Sequence, residues 1–182
     1  TNGTVTGRCT HRRPNLAQCP SINSPYGKEC RELFIAPPGR VLVGVDASGL
    51  ELRCLAHYLW KWDGGKYADI ILNGDIHTAN QKAAGLETRD QAKTFIYGWL
   101  YGAGPQKIGA IVNGTAKDGQ RLMARFLRKM TALKYLKDAI SNSIAQRDYL
   151  VSIDGRRIPI RSKHSALNAL LQGAGAVIMK QA

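Results

Sequence analysis

The stretch from Thr88 to Gly104, Thr-Arg-Asp-Gln-Ala-Lys-Thr-Phe-Ile-Tyr-Gly-Trp-Leu-Tyr-Gly-Ala-Gly, makes two separate demands on one helix. Thr88 followed three residues later by Gln91 is a capping-box pattern, in which each side chain satisfies a backbone N–H left open at a helix start. The helix therefore begins near Arg89. Ala92, Phe95, Ile96, Trp99 and Leu100 recur at helical spacing and bury one side, and Gly102 and Gly104 supply a stop. The opposite side carries Arg89, Lys93, Tyr97 and Tyr101 at four-residue steps, each rising about 6 Å and drifting about 40°. Two cations and then two aromatics line up over roughly 18 Å. Cations in the first turns, where the helix dipole also favours an anion, suit a polyphosphate. Tyrosines beyond them suit stacking on a sugar or base. On spacing alone, the same residues equally describe a solvated basic face with two half-buried tyrosines.

Charge weights the choice of ligand. Lys and Arg total 26 against 13 acidic residues, a formal charge of +13, so polyanions are the expected partners and nucleic acid comes first. The 182 residues, 44% of them hydrophobic, suffice for one or two compact lobes. No run approaches the ~18 apolar residues of a membrane span, the first residues lack signal-peptide character and no lipidation motif occurs, so no membrane role is expected. Cys9, Cys19, Cys30 and Cys54 form no Cys-x-x-Cys pair and have no His at ligand spacing, which points to free intracellular thiols rather than a zinc or thioredoxin-like site. The Asn2-Gly-Thr and Asn113-Gly-Thr sequons then read as chance matches. Gly102-Ala-Gly104 is not followed by the Lys-Ser/Thr of a phosphate-binding P-loop. The missing initiator Met and the helical last residues suggest a piece of a longer chain.

Elsewhere the pattern is coarser. Residues 1 to 30 read as extended chain and turns, and Pro38-Gly39 as a turn. Arg40-Val-Leu-Val-Gly-Val-Asp46 reads as a buried strand ending in an acid. Asp46 is a metal-ligand candidate on that ground, and a helix cap for Ala47-Ser48 onward on another. Leu50 to Trp62 is a helix with Leu52, Leu55, Ala56, Leu59 and Trp60 inward, halted by Gly64-Gly65, and His57 on it is structural. Residues 104 to 147 form a helical pair with Leu122, Phe126, Met130, Leu133, Leu136, Ile140 and Ile144 inward. Its Arg121, Arg125, Arg128, Lys129, Lys134 and Lys137 are assigned to solvent. Asp154-Gly155 marks a hairpin, Pro159 an edge strand, and His164 to Lys180 a final helix with Ala166, Leu167, Leu170, Leu171, Ala174 and Ile178 inward.

The order Arg89-x-x-x-Lys93-x-x-x-Tyr97-x-x-x-Tyr101-Gly resembles the motif B helix of family A DNA polymerases. That resemblance implies that Arg89 and Lys93 bind the triphosphate of an incoming nucleotide, with Lys93 counted among the catalytic groups. Tyr97 would stack near its sugar and Tyr101 lie beside the templating base. Val45-Asp-Ala-Ser-Gly-Leu-Glu-Leu-Arg53 resembles motif A of the same family, closest to its phage branch. It implies Asp46 as a ligand of both catalytic Mg²⁺ ions, the Ala47 carbonyl as a ligand of one, and Glu51 as a steric gate against a 2′-hydroxyl. Asp75-Ile-His77-Thr resembles the segment before motif B, with His77 on the triphosphate. Thr6-Gly-Arg8, with Arg13-Pro-Asn-Leu-Ala-Gln18-Cys-Pro20 after it, resembles the segment that touches the duplex, and Arg31-Glu-Leu-Phe-Ile-Ala-Pro37 also fits the family. Arg8 would then reach the minor groove, where acceptors are common to all base pairs. His164-Ser-Ala-Leu-Asn168-Ala-Leu-Leu-Gln172 resembles the palm helix whose Asn and Gln contact primer and template, with His164 standing where bacterial members carry Arg.

The expected fold is α/β (α+β), a partial palm with an antiparallel sheet and a helical fingers insertion. Residues 1–49 form the N-terminal palm with motif A, 50–147 the fingers region with motif B, and 148–182 the palm hairpin and helix. The implied activity is template-directed DNA synthesis from deoxynucleoside triphosphates on primer-template DNA, by two-metal catalysis, inside a cell and in the host cytoplasm for a phage protein. The sequence ends before motif C and contains no His-Asp-Glu, so a second polypeptide or further C-terminal segment is expected to supply the other carboxylate. The exposed palm edge would favour association. A silent nucleic-acid-binding fragment, a single-subunit RNA polymerase relative and a purely structural basic domain are the alternatives.

Overall fold

The structure, a computed structural model, describes residues 3–182, so Asn2 of the first sequon and the first two residues of segment 1–49 lie outside the described residues. The chain divides into two compact units, residues 1–4 with 9–48 and residues 5–8 with 49–182.

The first unit has a 3₁₀ turn at Leu16–Gln18 and a short helix, α1 (Gly27–Glu32). Gly27 is buried against the Ser21 carbonyl, where a Cβ would overlap it, and Arg31 Nε donates to Pro20 O at 2.9 Å. Pro38-Gly39 makes the expected turn: Arg40 N–H donates to Pro37 O at 3.1 Å with Gly39 at φ +76, the type II arrangement that favours Pro and then Gly. The strand expected at 40–46 does not form. Val41, Leu42, Val43 and Val45 are 81%, 67%, 81% and 86% exposed. Strand propensity records packing on a pleated neighbour, and an apolar run without a paired edge leaves its backbone groups to water. Among the described residues the expected antiparallel sheet is a single two-stranded hairpin.

The second unit is helical. In chain order it contains α2 (Leu50–Asp63), α3 (Lys66–Asn73), α4 (Ile76–Ala84), α5 (Arg89–Leu100), α6 (Pro105–Ala110), α7 (Ala116–Lys129), α8 (Thr131–Arg147), β1 (Tyr149–Val151), β2 (Arg157–Pro159) and α9 (Ala166–Gln181). Helices α3 and α8 and α9 pack on α2, while α5 lies against α4 and α6, and α7 covers α4 and α6. The hairpin pairs Leu150 with Ile158, both buried, beside α9. Its turn is longer than Asp154-Gly155 alone suggests, because Ser152 N–H donates to Arg156 O at 2.8 Å and Gly155, at φ +78, adds a bulge residue.

Helix α5 forms as its sequence dictates. Gln91 N–H donates to Thr88 Oγ1 at 3.1 Å and Thr88 N–H donates back to Gln91 Oε1 at 3.2 Å. Ala92, Phe95, Ile96, Trp99 and Leu100 are all buried. A second reciprocal cap, Thr115 with Asp118, starts α7. Where α6 meets α7, backbone lies on backbone: a Cβ on Gly109 would overlap the Thr115 carbonyl, and one on Gly119 the Pro105 carbonyl.

Four side chains depart from the expected faces. Trp60 is 59% exposed rather than inward, its ring lying over left-handed Gly65, because Leu52, Leu55, Ala56 and Leu59 already fill the buried stripe of α2. Ile178 is 40% exposed at the end of α9. Two cations assigned to solvent are used in packing. Lys137 is half-buried over the Trp99 ring at 5.0 Å, and the Arg125 guanidinium lies on Gly85 at the C-terminal end of α4, where a cation complements the helix dipole.

Candidate functional site

The outward face of α5 and the starts of α2 and α4 make one continuous polar surface in the second unit. Arg89, exposed in the first turn of α5, grips Asp75 with two hydrogen bonds, Nε to Oδ2 at 2.7 Å and Nη2 to Oδ1 at 3.2 Å. Asp75 is also the N-cap of α4, accepting from His77 N–H at 3.0 Å and Thr78 Oγ1 at 2.8 Å. One carboxylate thus ties the starts of two helices together. Arg89 and then Thr78 hold its carboxyl well below the usual carboxylate range.

His77, set by that cap, turns its ring toward Tyr97 at 6.2 Å between centroids, and its Nδ1 is buried without a partner. Burial and then the Arg89 charge lower its pKa, so the imidazole is neutral at pH 7. Lys93 is exposed one turn along α5. Tyr97 is half-buried, and its ring stacks on Tyr101 at 6.5 Å and 24°. Tyr101, at the end of the helix, donates its hydroxyl to Glu51 Oε1 at 3.2 Å. Burial and then the Glu51 charge raise both phenols, while the Arg8 charge acts on Tyr101 in the opposite sense. Cations at one end, stacked rings in the middle and a phenol-anchored carboxylate at the other can bind an elongated ligand that is anionic at one end and flat beyond it.

The structure brings together Glu51, His77, Arg89, Lys93, Tyr97 and Tyr101 through α2, α4 and α5. Asn168 and Gln172 lie one turn apart on α9, both half-buried, and the start of that helix meets the end of α5, where Gly102 at φ +78 leaves room for the His164 carbonyl. Asp46 is exposed and Ala47 half-buried in the first unit. Among the described residues no group of three or more His, Cys, Asp or Glu side chains could hold a metal ion. Asp46 and the Ala47 carbonyl do not by themselves make a two-ion centre. Asp75 is the site residue that reading for ligands passed over; its signal was an Asp with Thr three residues later, a cap pattern.

Linkage gives this corner a pH signature. Both Asp75 and His77 bind protons more weakly in the folded chain, so their stabilisation is complete above their unfolded pKa values and is lost as pH falls toward the folded ones. Thermal melts should fall below about pH 6.5 as His77 titrates and again below about pH 4 as Asp75 does. Asp75→Asn should abolish the second step, which is shallow because the pair is exposed. A melting profile unchanged by that substitution would show that Asp75 does not tie the helices.

A helical lobe with a small antiparallel hairpin and a basic, aromatic helix face has the make-up of a domain that binds polyanions carrying flat groups. A sequence model of DNA polymerase family A matches residues 1–182, and the chain belongs to that family. Within it the likeness is to the phage type. It is 49% identical to the DNA-directed DNA polymerases of Enterobacteria phage T3 and Escherichia phage T7 over 201 aligned residues, covering 98% of this chain and 29% of each relative. It is 44% identical to that of Escherichia phage Phieco32, covering 82% of this chain and 30% of the relative. The chain therefore spans about three tenths of the length of these relatives. Among solved structures, the POL domain of Pol1 from M. smegmatis, in complex with DNA primer-template and dNTP, superposes with a TM-score of 0.80 at 22% identity, over 97% of this chain and 34% of that one. At that identity the likeness shows the fold.

Proposed function

We propose that this chain carries the nucleotide-binding face of a DNA polymerase and takes part in template-directed synthesis, joining a deoxynucleoside triphosphate to a primer 3′-hydroxyl. Arg89, Lys93 and His77 hold the triphosphate, Tyr97 stacks beside the sugar, and Tyr101 lies against the templating base. Arg8, Asn168 and Gln172 contact the primer-template. Two Mg²⁺ ions would activate the 3′-hydroxyl and stabilise the leaving pyrophosphate when bound. Asp46 and the Ala47 carbonyl are the ligands this chain offers, and a carboxylate from motif C, on another segment or polypeptide, completes the set. Among the described residues no helix is long and apolar enough to cross a membrane. By its likeness to phage polymerases we assign the work to the interior of the cell, the host cytoplasm for a phage protein.

The observation that carries the reading is the Tyr101–Glu51 hydrogen bond at the end of the stacked tyrosines. It fixes a carboxylate at the aromatic end of a face whose other end is cationic, so a ribose 2′-oxygen meets a held acid while a deoxyribose does not. A site that excludes one added oxygen by shape and charge favours deoxynucleotides and argues against an RNA polymerase. Glu51→Ala should remove that preference, raising ATP binding relative to dATP in competition on the primer-template complex. Unchanged preference would sink the gate assignment.

Primer extension with deoxynucleotides and Mg²⁺ tests the whole reading, using the chain alone and with a polypeptide carrying motif C, and Asp46→Ala as control. Extension on complementation, lost with Asp46→Ala, is the expected result. Binding of primer-template without extension in either case would leave a silent nucleic-acid-binding protein. The formal charge of +13 makes that the second reading.

A further inference from the structure

We propose that Arg156 is a positioning residue for primer-template binding, its guanidinium clamping Thr6-Gly7 onto the hairpin and α9 so that the direction in which Arg8 leaves the segment is fixed. The proposal rests on the reading of Arg8 as a DNA contact. Gly7 stands at φ +80, and a Cβ there would overlap the Arg156 guanidinium, so the planar group lies directly on the Gly7 backbone. Two constraints therefore coincide at that glycine, a left-handed backbone and a close approach.

The residue before it is fixed as well. Thr6 is buried at 9% exposure. Its carbonyl faces Gly173 on α9, where a Cβ would come within 3.8 Å of Thr6 O and within 2.8 Å of Ile158 Cδ1 on β2. Glycine at 173 thus keeps open the groove between β2 and α9 into which the segment fits. Arg156 is aimed at this groove by its own turn: its N–H donates to Asp154 Oδ1 at 3.3 Å, and its Nε lies 3.2 Å from Asp154 Oδ2. The ion pair is poorly aligned for a hydrogen bond, and Nε is buried without one, so the guanidinium is held by packing on the glycine as much as by its acid. The charge of Arg8, the next residue, acts on the Tyr101 phenol. Pinning residues 6 and 7 removes freedom that Arg8 would otherwise lose on binding DNA.

The experiment is a double-mutant cycle on the full chain, read as affinity for a fluorescent primer-template, with a thermal melt for each variant. Arg8→Ala and Arg156→Ala should each weaken binding roughly tenfold, and the double variant should be no weaker than Arg8→Ala alone. Arg156→Lys should restore little, because a point charge cannot lie flat on the Gly7 backbone. Affinity for a deoxynucleoside triphosphate should not move. Additive losses would mean that Arg156 touches DNA itself, and full binding by Arg156→Ala would mean that it positions nothing; either result overturns the proposal alone. If Arg8→Ala binds normally, the reading of Arg8 falls and the proposal with it. Should Arg156→Ala not fold, Asp154→Asn, which leaves the guanidinium and removes its acid, replaces it in the cycle. The same non-additivity is then expected from a smaller loss, and additivity or full binding again overturns the proposal.

Discussion

Phe126→Ala should destabilise the helical unit by about 3–5 kcal/mol, the range for emptying a buried aromatic site. Phe126 on α7 is fully buried and meets two rings from the inward face of α5, Phe95 at 5.1 Å and 81° and Trp99 at 5.9 Å and 70°. Both are edge-to-face contacts, the favoured arrangement of aromatic quadrupoles. The substitution therefore withdraws the support behind the helix whose outward side carries Arg89, Lys93, Tyr97 and Tyr101. Gly119→Ala should be comparably harmful for a different reason. Its Cβ would be driven into the Pro105 carbonyl and to 2.7 Å from Gly109 N, and backbone on both sides cannot swing aside as a side chain would. Chemical denaturation of the two variants, with unchanged slope, measures this. A loss under about 1 kcal/mol for Phe126→Ala would show that α7 does not support α5.

Removing the cations from the first turns of α5 should have the largest effect on ligand binding. Lys93→Ala leaves the Asp75–Arg89 tie in place and so isolates the contribution of one exposed ammonium, an expected loss of roughly tenfold in triphosphate affinity. Arg89→Ala should cost more, on the order of a hundredfold, because it removes a fork that can bind phosphate bidentately and also frees the start of α4. Asp75→Asn separates these two effects, since it keeps the Arg89 charge while weakening the tie. Competition against a fluorescent deoxynucleoside triphosphate reads all three. Affinities that stay within twofold of the parent in both Lys93→Ala and Arg89→Ala would reduce this face to a solvated basic surface.

The family was legible because its residues are ordered along the chain, and much of α5 was legible because the forces that make it are local. A Thr and a Gln three residues apart close a cap, and apolar residues at three and four mark a face. The left-handed glycines at Gly64 and Gly102 end runs by a property of single residues. Each is decided within a turn or two of helix. Asp75 and Arg89 are fourteen residues apart and Glu51 and Tyr101 fifty apart, and no spacing rule pairs them.

The same distinction explains the misplaced elements. Residues 40–46 have the composition of a strand, but a strand exists only against a partner edge, and the described chain offers them none. Arg125 and Lys137 depart from their expected faces because the groups that receive them, Gly85 at the end of α4 and the Trp99 ring of α5, come from other helices. The sequence by itself determined the caps, stops and faces of α5 and the order of its functional residues. Only the tertiary structure decided which of those residues meet and which apolar surface is buried, because both depend on elements that chain connectivity brings together from far apart.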